Sequence, residues 1–134
     1  NVTLYFIATT SDEEFVRTFQ YRRLRKGDGK NYPQKEDQVT INYIGIFPET
    51  QEQFDSSYDR GQTLDFIIGV GQVIPCLDEM ISRMSLGERG VIICPAHLGY
   101  GKEGVKGKIP PNSDLEFEVE VLRFRGLQHN AMEL

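Results

Sequence analysis

Residues Val70–Gly87 read VGQVIPCLDEMISRMSLG and carry the clearest helical pattern in a chain otherwise made of strands and turns. Apolar side chains recur at i, i+3, i+4 and i+7, with polar side chains between them. The apolar stripe consists of Leu77, Met80, Ile81 and Met84. Pro75 suits a first helical turn and Gly87 suits the position after a last one, so the pattern predicts one helix that packs on a sheet.

The segment before this helix is a candidate binding site. Val73 and Ile74 follow a backbone that Gly69 and Gly71 allow to bend, so a backbone N–H here can face a cavity instead of a neighbouring strand. Spacing alone favours a simpler alternative, in which Val73 and Ile74 only fill the core under the helix.

Composition limits the classes of function. The chain has 134 residues, 39% of them hydrophobic, which fits one compact domain. Its net charge of −5 argues against nucleic-acid or anionic-membrane partners, which require clustered Lys and Arg. The basic run Tyr21–Lys26 is interpreted as a solvated strand face. We expect neither nucleic acid nor membrane as a partner, a cytoplasmic location and a monomer.

The two cysteines, Cys76 and Cys94, are too few for a disulfide framework and lack the spacing of a zinc site. We interpret both as core or near-core thiols. Cys76 is the more reactive candidate, because a helix start favours the thiolate.

Strand patterns fill much of the remaining chain. The segments with alternating or continuous apolar residues are Val39–Ile46, Leu64–Ile68, Gly90–Cys94 and Leu115–Phe124. Leu4–Ile7 is a further strand or packed extension, and a capping box at Ser11–Glu14 permits a short helix over Asp12–Thr18. The pattern predicts an α+β domain with an antiparallel sheet wrapped on one helix.

Two loops carry candidate functional groups. The segment from Phe54 to Arg60 reads FDSSYDR and, taken alone, is an ordinary polar loop with an ion pair. The Gly- and Pro-rich segment Pro95–Asp114 contains LGYG at Leu98–Gly101 and IPP at Ile109–Pro111, and long loops of this kind are often functional.

Together with Tyr43, the Val73-Ile74 pair and Phe117, these motifs resemble the FKBP-type peptidyl-prolyl isomerases, the immunophilins that bind tacrolimus and rapamycin. The resemblance runs from about Leu24 to Phe124 and keeps the order of every motif. It implies a five- to six-stranded antiparallel sheet around one short helix, with an apolar pocket between them. The implied catalytic residues are Tyr43, Phe54, Asp55, Ile74, Tyr100 and Phe117. The other implied pocket residues are Arg60, Leu64, Phe66, Val73, Leu77, Val105 and Ile109.

The resemblance also implies a mechanism without cofactor or metal. A backbone N–H at the Val73-Ile74 junction would receive a substrate carbonyl, and Tyr100 would donate a hydrogen bond to another. Asp55 would hold Tyr43 and Arg60 in place without acting as a general base. The implied partners are proline-containing protein segments, in a folding-helper role, and tacrolimus or rapamycin.

The chain departs from the family pattern in its pocket. Leu77 stands where active, drug-sensitive members have tryptophan, and Leu64 stands where a phenylalanine is usual. Val105 and Lys108 replace other loop contacts, and Pro75 is unusual. These changes predict weakened macrolide binding.

Two other functions remain as alternatives. A non-catalytic FKBP-like docking module is favoured by the Leu77 and Leu64 replacements, whereas the retained aromatic residues and Asp55 favour the enzyme. A hydrolase that uses Asp55 with Asp59 is a weaker alternative, because a loop does not fix two carboxylates at the required separation. The predicted organisation is an extension over 1–23, an isomerase domain over 24–125 and a tail or linker over 126–134.

Overall fold

The computed structural model describes residues 2–6 and 18–126. The strands in this part of the chain are β1 (Thr3–Phe6), β2 (Thr18–Arg25), β3 (Asp37–Ile46), β4 (Gln53–Ser56), β5 (Leu64–Ile67), β6 (Arg89–Cys94) and β7 (Leu115–Gly126). The helices are α1 (Ser57–Arg60) and α2 (Pro75–Ile81), with a 3₁₀ turn at Ala96–Leu98. None of these helices is long and apolar enough to cross a membrane.

The strands form one antiparallel sheet in the order β1-β2-β6-β7-β3-β4, with β5 also paired to β3. The predicted α+β class and the sheet around a short helix are confirmed, and the described residues contain seven strands where five or six were expected. β7 follows its predicted alternation, since Leu115, Phe117, Val119 and Val121 are buried while the glutamates between them are partly exposed.

The N-terminal predictions have mixed outcomes. Of the strand or packed extension expected at Leu4–Ile7, Leu4–Phe6 lie in β1, which pairs with β2, and Ile7 lies outside the described residues. The short helix expected over Asp12–Thr18 lies outside the described residues, apart from Thr18, where β2 begins. β2 runs across the expected boundary between residues 23 and 24, and the division into an extension, a domain and a tail stays a prediction.

Helix α2 buries its apolar face on the sheet, but it is shorter than predicted. Leu77, Met80 and Ile81 are buried, and the helix ends at Ile81 with Ser82 as its C-cap. Met84 lies in the turn beyond the end of the helix and is fully buried, so it continues the apolar stripe. Gly87 has a positive φ of 86°, yet its N–H bonds to Val121, so it shapes the turn into β6 and does not cap the helix.

The outer edge of β3 is shared by two strands, and this division opens the sheet. β5 pairs with Gln38–Ile41, and β4 pairs with Ile44–Ile46. Between them, the N–H of Tyr43 donates to Ser57 Oγ at 2.9 Å, in the first turn of α1. The predicted polar loop after Phe54 is therefore a strand end followed by a helical turn.

Cys76 and Cys94 form a disulfide, so the interpretation of both as free thiols is wrong. Their Cα atoms lie 5.9 Å apart, because α2 begins where it crosses the end of β6. Both residues are fully buried, as predicted. The bond ties the first turn of the helix to the sheet.

Replacing both cysteines with alanine should lower the free energy of unfolding by about 3 kcal/mol, the chain-entropy value for a loop of this length. The 18-residue separation sets that value. For a domain of this size, the melting temperature should fall by roughly 10 °C. Calorimetry with and without a phosphine reductant measures this effect, with the double alanine variant as the control that the reductant should not change. Two titratable thiols in wild-type protein purified without a reductant would contradict the disulfide.

Candidate active site

A cavity of about 250 Å³ lies between the sheet and the start of α2, under the loop that precedes β7. Eleven of the thirteen site residues predicted from the sequence line it: Tyr43, Phe54, Asp55, Leu64, Val73, Ile74, Leu77, Tyr100, Val105, Ile109 and Phe117. Three further lining residues are Ile41, Gln72 and Lys108. The structure thus brings together residues that the chain separates by more than seventy positions, from Tyr43 to Phe117.

Two predicted site residues do not line the cavity. Phe66 is 4% exposed and lies in the core beside Val39, its partner on β3. Arg60 stands behind the cavity wall, where its guanidinium lies over the Tyr43 ring, 5.5 Å from the ring centre. Arg60 does not line the cavity itself, but it contacts the lining residues Tyr43 and Asp55.

The wall of the cavity is aromatic. Phe54 and Phe117 meet edge to face with ring centres 5.7 Å apart, and Tyr43 lies 6.4 Å from Phe117. Phe117 and Tyr43 are nearly inaccessible, whereas Phe54 is half-buried and also packs on Phe47. These tilted arrangements are the favourable ones for aromatic pairs and leave ring faces and edges to contact an apolar group.

Asp55 organises the polar rim. Tyr43 donates its hydroxyl to Asp55 Oδ2 at 2.6 Å, and Arg60 donates to Oδ1 at 3.0 Å. Arg60 also donates to the Tyr43 hydroxyl at 2.7 Å, which closes the triangle. Lys108, from the opposite side of the cavity, donates to Oδ2 at 3.1 Å.

The pKa values of the rim follow from this arrangement. Burial acts to raise the pKa of Asp55, but hydrogen bonds from Tyr43 and Lys108 and the nearby positive charges outweigh it, so the pKa lies below its ordinary value. Burial and the bond to Asp55 raise the pKa of Tyr43 to about 12. At neutral pH, Asp55 is therefore a carboxylate and Tyr43 a neutral phenol, and neither is set to exchange a proton with a ligand.

The segment before α2 carries a free donor. Gly69 and Gly71 have φ values of 83° and 80°, the left-handed region that glycine adopts without strain. Asp78 of α2 accepts both of their N–H groups, at 2.7 and 3.0 Å. This clamp directs the chain into Ile74, whose N–H has no acceptor among the described residues.

The floor and the far wall come from α2 and the loop before β7. Leu77 is 7% exposed and lines the floor. Val105 and Ile109 bond to each other through both backbone groups at 2.8 Å and place their side chains at the far wall. Tyr100 is 40% exposed, and its hydroxyl has no partner in the described part of the chain.

Sequence reasoning missed several contributors to this site. Ile41 was recoverable, because it lies two residues before Tyr43 on one strand and therefore on the same face. The role of Asp78 was hidden, since an acidic residue in a first helical turn has an ordinary explanation in the helix dipole. The ion pair of Lys108 with Asp55 joins residues 53 positions apart, and no local pattern signals it.

A larger groove of about 500 Å³ lies on the other side of Val73. Its lining includes the charged residues Lys35, Asp78 and Glu79, and Asp78 is already bonded to the glycine loop. No group of three or more potential metal ligands occurs in residues 2–6 and 18–126. The aromatic cavity is therefore the best candidate for a site.

The chain is similar in sequence to known proteins. Residues 29–122 match the family model for the FKBP-type peptidyl-prolyl cis-trans isomerase. FK506-binding protein 1 of Yarrowia lipolytica is 50% identical over 101 residues, which make up 75% of this chain and 93% of that protein. Peptidyl-prolyl cis-trans isomerase Fkbp12 of Drosophila melanogaster is 43% identical over 97 residues, or 72% of this chain and 89% of that protein.

The comparison of structures agrees. The crystal structure of FkpA from Escherichia coli matches 81% of this chain with a TM-score of 0.73 and 36% identity. This chain spans 49% of the FkpA chain, about half its length. The shared sequence and fold show that the chain belongs to the FKBP-type peptidyl-prolyl cis-trans isomerase family.

Proposed function

We propose that the chain accelerates rotation about X–Pro bonds by binding the proline ring in the aromatic cavity and stabilising the twisted amide without covalent chemistry. The observation that carries this proposal is that Ile74, whose N–H has no acceptor among the described residues, lines a cavity with an aromatic wall. An amide carbonyl is the natural acceptor for that donor.

The chemistry suits an apolar site. Rotation of an X–Pro bond is opposed by a barrier of about 20 kcal/mol, because amide resonance must be broken. The twisted amide loses the charge separation that water stabilises in the planar form, so a dry cavity favours it. Lowering the barrier by about 7 kcal/mol would accelerate the reaction roughly 10⁵-fold.

The proposed roles follow from position. Tyr43, Phe54 and Phe117 contact the proline ring, Ile74 binds one carbonyl through its N–H, and Tyr100 donates to another. Asp55 is a positioning residue, because its carboxylate is already bonded to Tyr43, Arg60 and Lys108. Leu64, Val73, Leu77, Val105 and Ile109 complete the apolar lining.

The hydrolase alternative has little support from the geometry. Asp55 is held ionised, with a lowered pKa, by its donors, so it has no proton to give. Asp59 is exposed and accepts from Gln53 at 2.5 Å, outside the cavity. The docking-module alternative rests on Leu77 and Leu64, which make the lining less aromatic without removing any of the proposed hydrogen-bond donors.

Natural partners follow from the same chemistry. We propose that the substrates are proline-containing segments of folding proteins, and that the monomeric chain binds tacrolimus or rapamycin weakly. No nucleic-acid or membrane partner is proposed. The cytoplasmic location expected from the sequence stays a prediction, and the Cys76–Cys94 disulfide favours an oxidising compartment instead.

Phe54→Ala should reduce kcat/KM for a proline peptide about tenfold, since it removes a ring that borders the bound proline. Phe47→Ala is the matched control, because Phe47 packs on Phe54 at 4.9 Å but does not line the cavity. Both variants should lose similar stability, about 1–2 kcal/mol for a half-buried ring. Peptide isomerisation and chemical denaturation measure the two effects. An active Phe54 variant, or equal losses of activity in both, would contradict the site assignment.

The isomerisation rate of an uncharged proline peptide should be independent of pH between about pH 5.5 and 9. In this range Asp55 is already ionised and Tyr43 is still neutral. The lowered pKa of Asp55 and the Tyr43 pKa of about 12 set both limits. Asp55→Asn should lower the rate by roughly three- to tenfold with the same flat profile, since the lost charge loosens the rim. Asp59→Asn is the matched control and should keep the wild-type rate. An acid limb that disappears in Asp55→Asn would indicate general-base catalysis.

Leu77→Trp should tighten tacrolimus binding about tenfold, because the indole adds some tens of Å² of apolar contact at about 25 cal/mol per Å². The peptide rate should change only severalfold, since the Ile74 N–H and the exclusion of water do not depend on the indole. Calorimetric titration and a melting curve test both points. Equal or weaker drug affinity at an unchanged melting temperature would show that Leu77 does not form the floor.

A further inference from the structure

Lys108 lies at the mouth of the cavity in a rigid turn. Its N–H donates to Val105 at 2.9 Å, and the paired bonds between Val105 and Ile109 close the turn around it. Ile109 is 4% exposed, which anchors the turn in the core, whereas the Lys108 side chain is 43% exposed. The backbone thus holds the ammonium group within reach of the rim and of any ligand in the cavity.

The rim of the cavity carries more positive than negative charge. Asp55 is paired with Arg60 at 3.0 Å and with Lys108 at 3.1 Å, so two cations share one carboxylate. A lysine ammonium has three N–H donors, and Asp55 takes one of them. Among the described residues, Asp55 is the only acceptor of Lys108 Nζ, so donors remain available at the mouth of the cavity.

The surrounding loop does not supply the negative charge that would offset this imbalance. Between Tyr100 and Ile109 the chain carries three lysines, Lys102, Lys106 and Lys108, against the single acidic residue Glu103. The charged side chains of this loop are exposed. Asp59, the carboxylate next to Arg60 in α1, does not line the cavity and accepts a hydrogen bond from Gln53. A locally basic rim therefore stands on a protein whose net charge is −5.

We infer that Lys108 is a specificity-determining residue that favours substrates with an acidic side chain directly before or after the proline. The inference rests on the proposed isomerase function, since it places the proline in the aromatic cavity below Lys108. A glutamate beside that proline reaches the free donors of the ammonium while Asp55 keeps Tyr43 and Arg60 in position. A glutamine can accept the same hydrogen bond through its amide oxygen but lacks the charge attraction, and a basic side chain is repelled.

The size of the effect follows from exposure. An ion pair of a partly exposed lysine contributes modestly, so we expect kcat/KM to be about three- to fivefold higher for glutamate than for glutamine. The preference should shrink as ionic strength rises, because salt weakens the attraction between solvent-exposed charges.

The experiment compares peptides with blocked termini, Ac-Ala-X-Pro-Phe-NH₂ and Ac-Ala-Ala-Pro-X-NH₂, with X as glutamate or glutamine. NMR exchange spectroscopy at low salt gives kcat/KM for each, and the glutamate-to-glutamine ratio is the readout. The ratio is internal to each variant, so a loss of folded protein does not change it. Lys108→Met should bring the ratio to about one, and Lys108→Arg should keep it above one. Lys106→Met is the matched control, since this exposed lysine of the same loop does not line the cavity and should retain the wild-type ratio.

The outcomes separate this inference from the proposed function. A wild-type ratio of one at both positions, with both peptides accelerated, overturns the inference and leaves the isomerase function standing. A ratio that survives in Lys108→Met assigns the preference elsewhere and also overturns it. If no peptide is accelerated, the proposed function fails and the inference fails with it.

Discussion

Burial of one face of α2 on the sheet is the contact on which the rest of the structure depends. A helix of seven residues is not stable in water by itself, because so few hydrogen bonds do not offset the entropy of forming the first turn. Leu77, Met80 and Ile81 supply the missing stability, at roughly 1.5–3 kcal/mol for each fully buried side chain. The Cys76–Cys94 bond and the clamp of Asp78 on the glycine loop then fix where the helix begins. The cavity is the space that remains beside that fixed start.

The site combines an apolar interior with a polar rim in which Tyr43, Asp55 and Arg60 are bonded to one another. Because of these bonds, a ligand that enters the cavity does not have to break a buried polar contact first. Their mutual bonds also keep Asp55 ionised and Tyr43 neutral. The apolar interior and the fixed protonation states suit a reaction in which a bond rotates and no proton moves.

The sequence predicted those parts of the fold whose patterns are longer than one turn of structure. The alternation in β7 and the apolar stripe of α2 each extend over several residues, and both are present. Four-residue elements such as β4 and α1 are too short to show a period, so the chain around Phe54 was interpreted as a loop. The helix was predicted too long because burial continues in register to Met84 while the hydrogen bonds tighten, with Arg83 and Met84 donating to Met80 and Ile81.

Contacts between distant parts of the chain leave no local sequence pattern. They therefore limited how much of the site and of the disulfide could be predicted. Two cysteines 18 residues apart have no distinctive spacing, and only the crossing of α2 over β6 brings them together. The aromatic wall was predictable through family resemblance, because its motifs keep their order along the chain. Lys108 was noted as a departure, but its contact with Asp55 appears only when the loop folds over the cavity.

The residues at which this chain departs from the family pattern are separate from those that the proposed mechanism uses. Ile74 and the aromatic wall, which the proposed mechanism uses to twist the amide, follow the pattern. Leu77 lies at the floor of the cavity and Lys108 at its mouth. A change at the floor alters how much apolar surface a ligand contacts, and a change at the mouth alters which charges flank it. Both act on the choice of ligand, because neither bonds to the N–H of Ile74. Lys108 is one of three donors to Asp55, and the bonds from Tyr43 and Arg60 to that carboxylate do not involve Leu77 or Lys108. A chain built in this way can keep the rotation chemistry of its family while its preference among proline sequences changes independently.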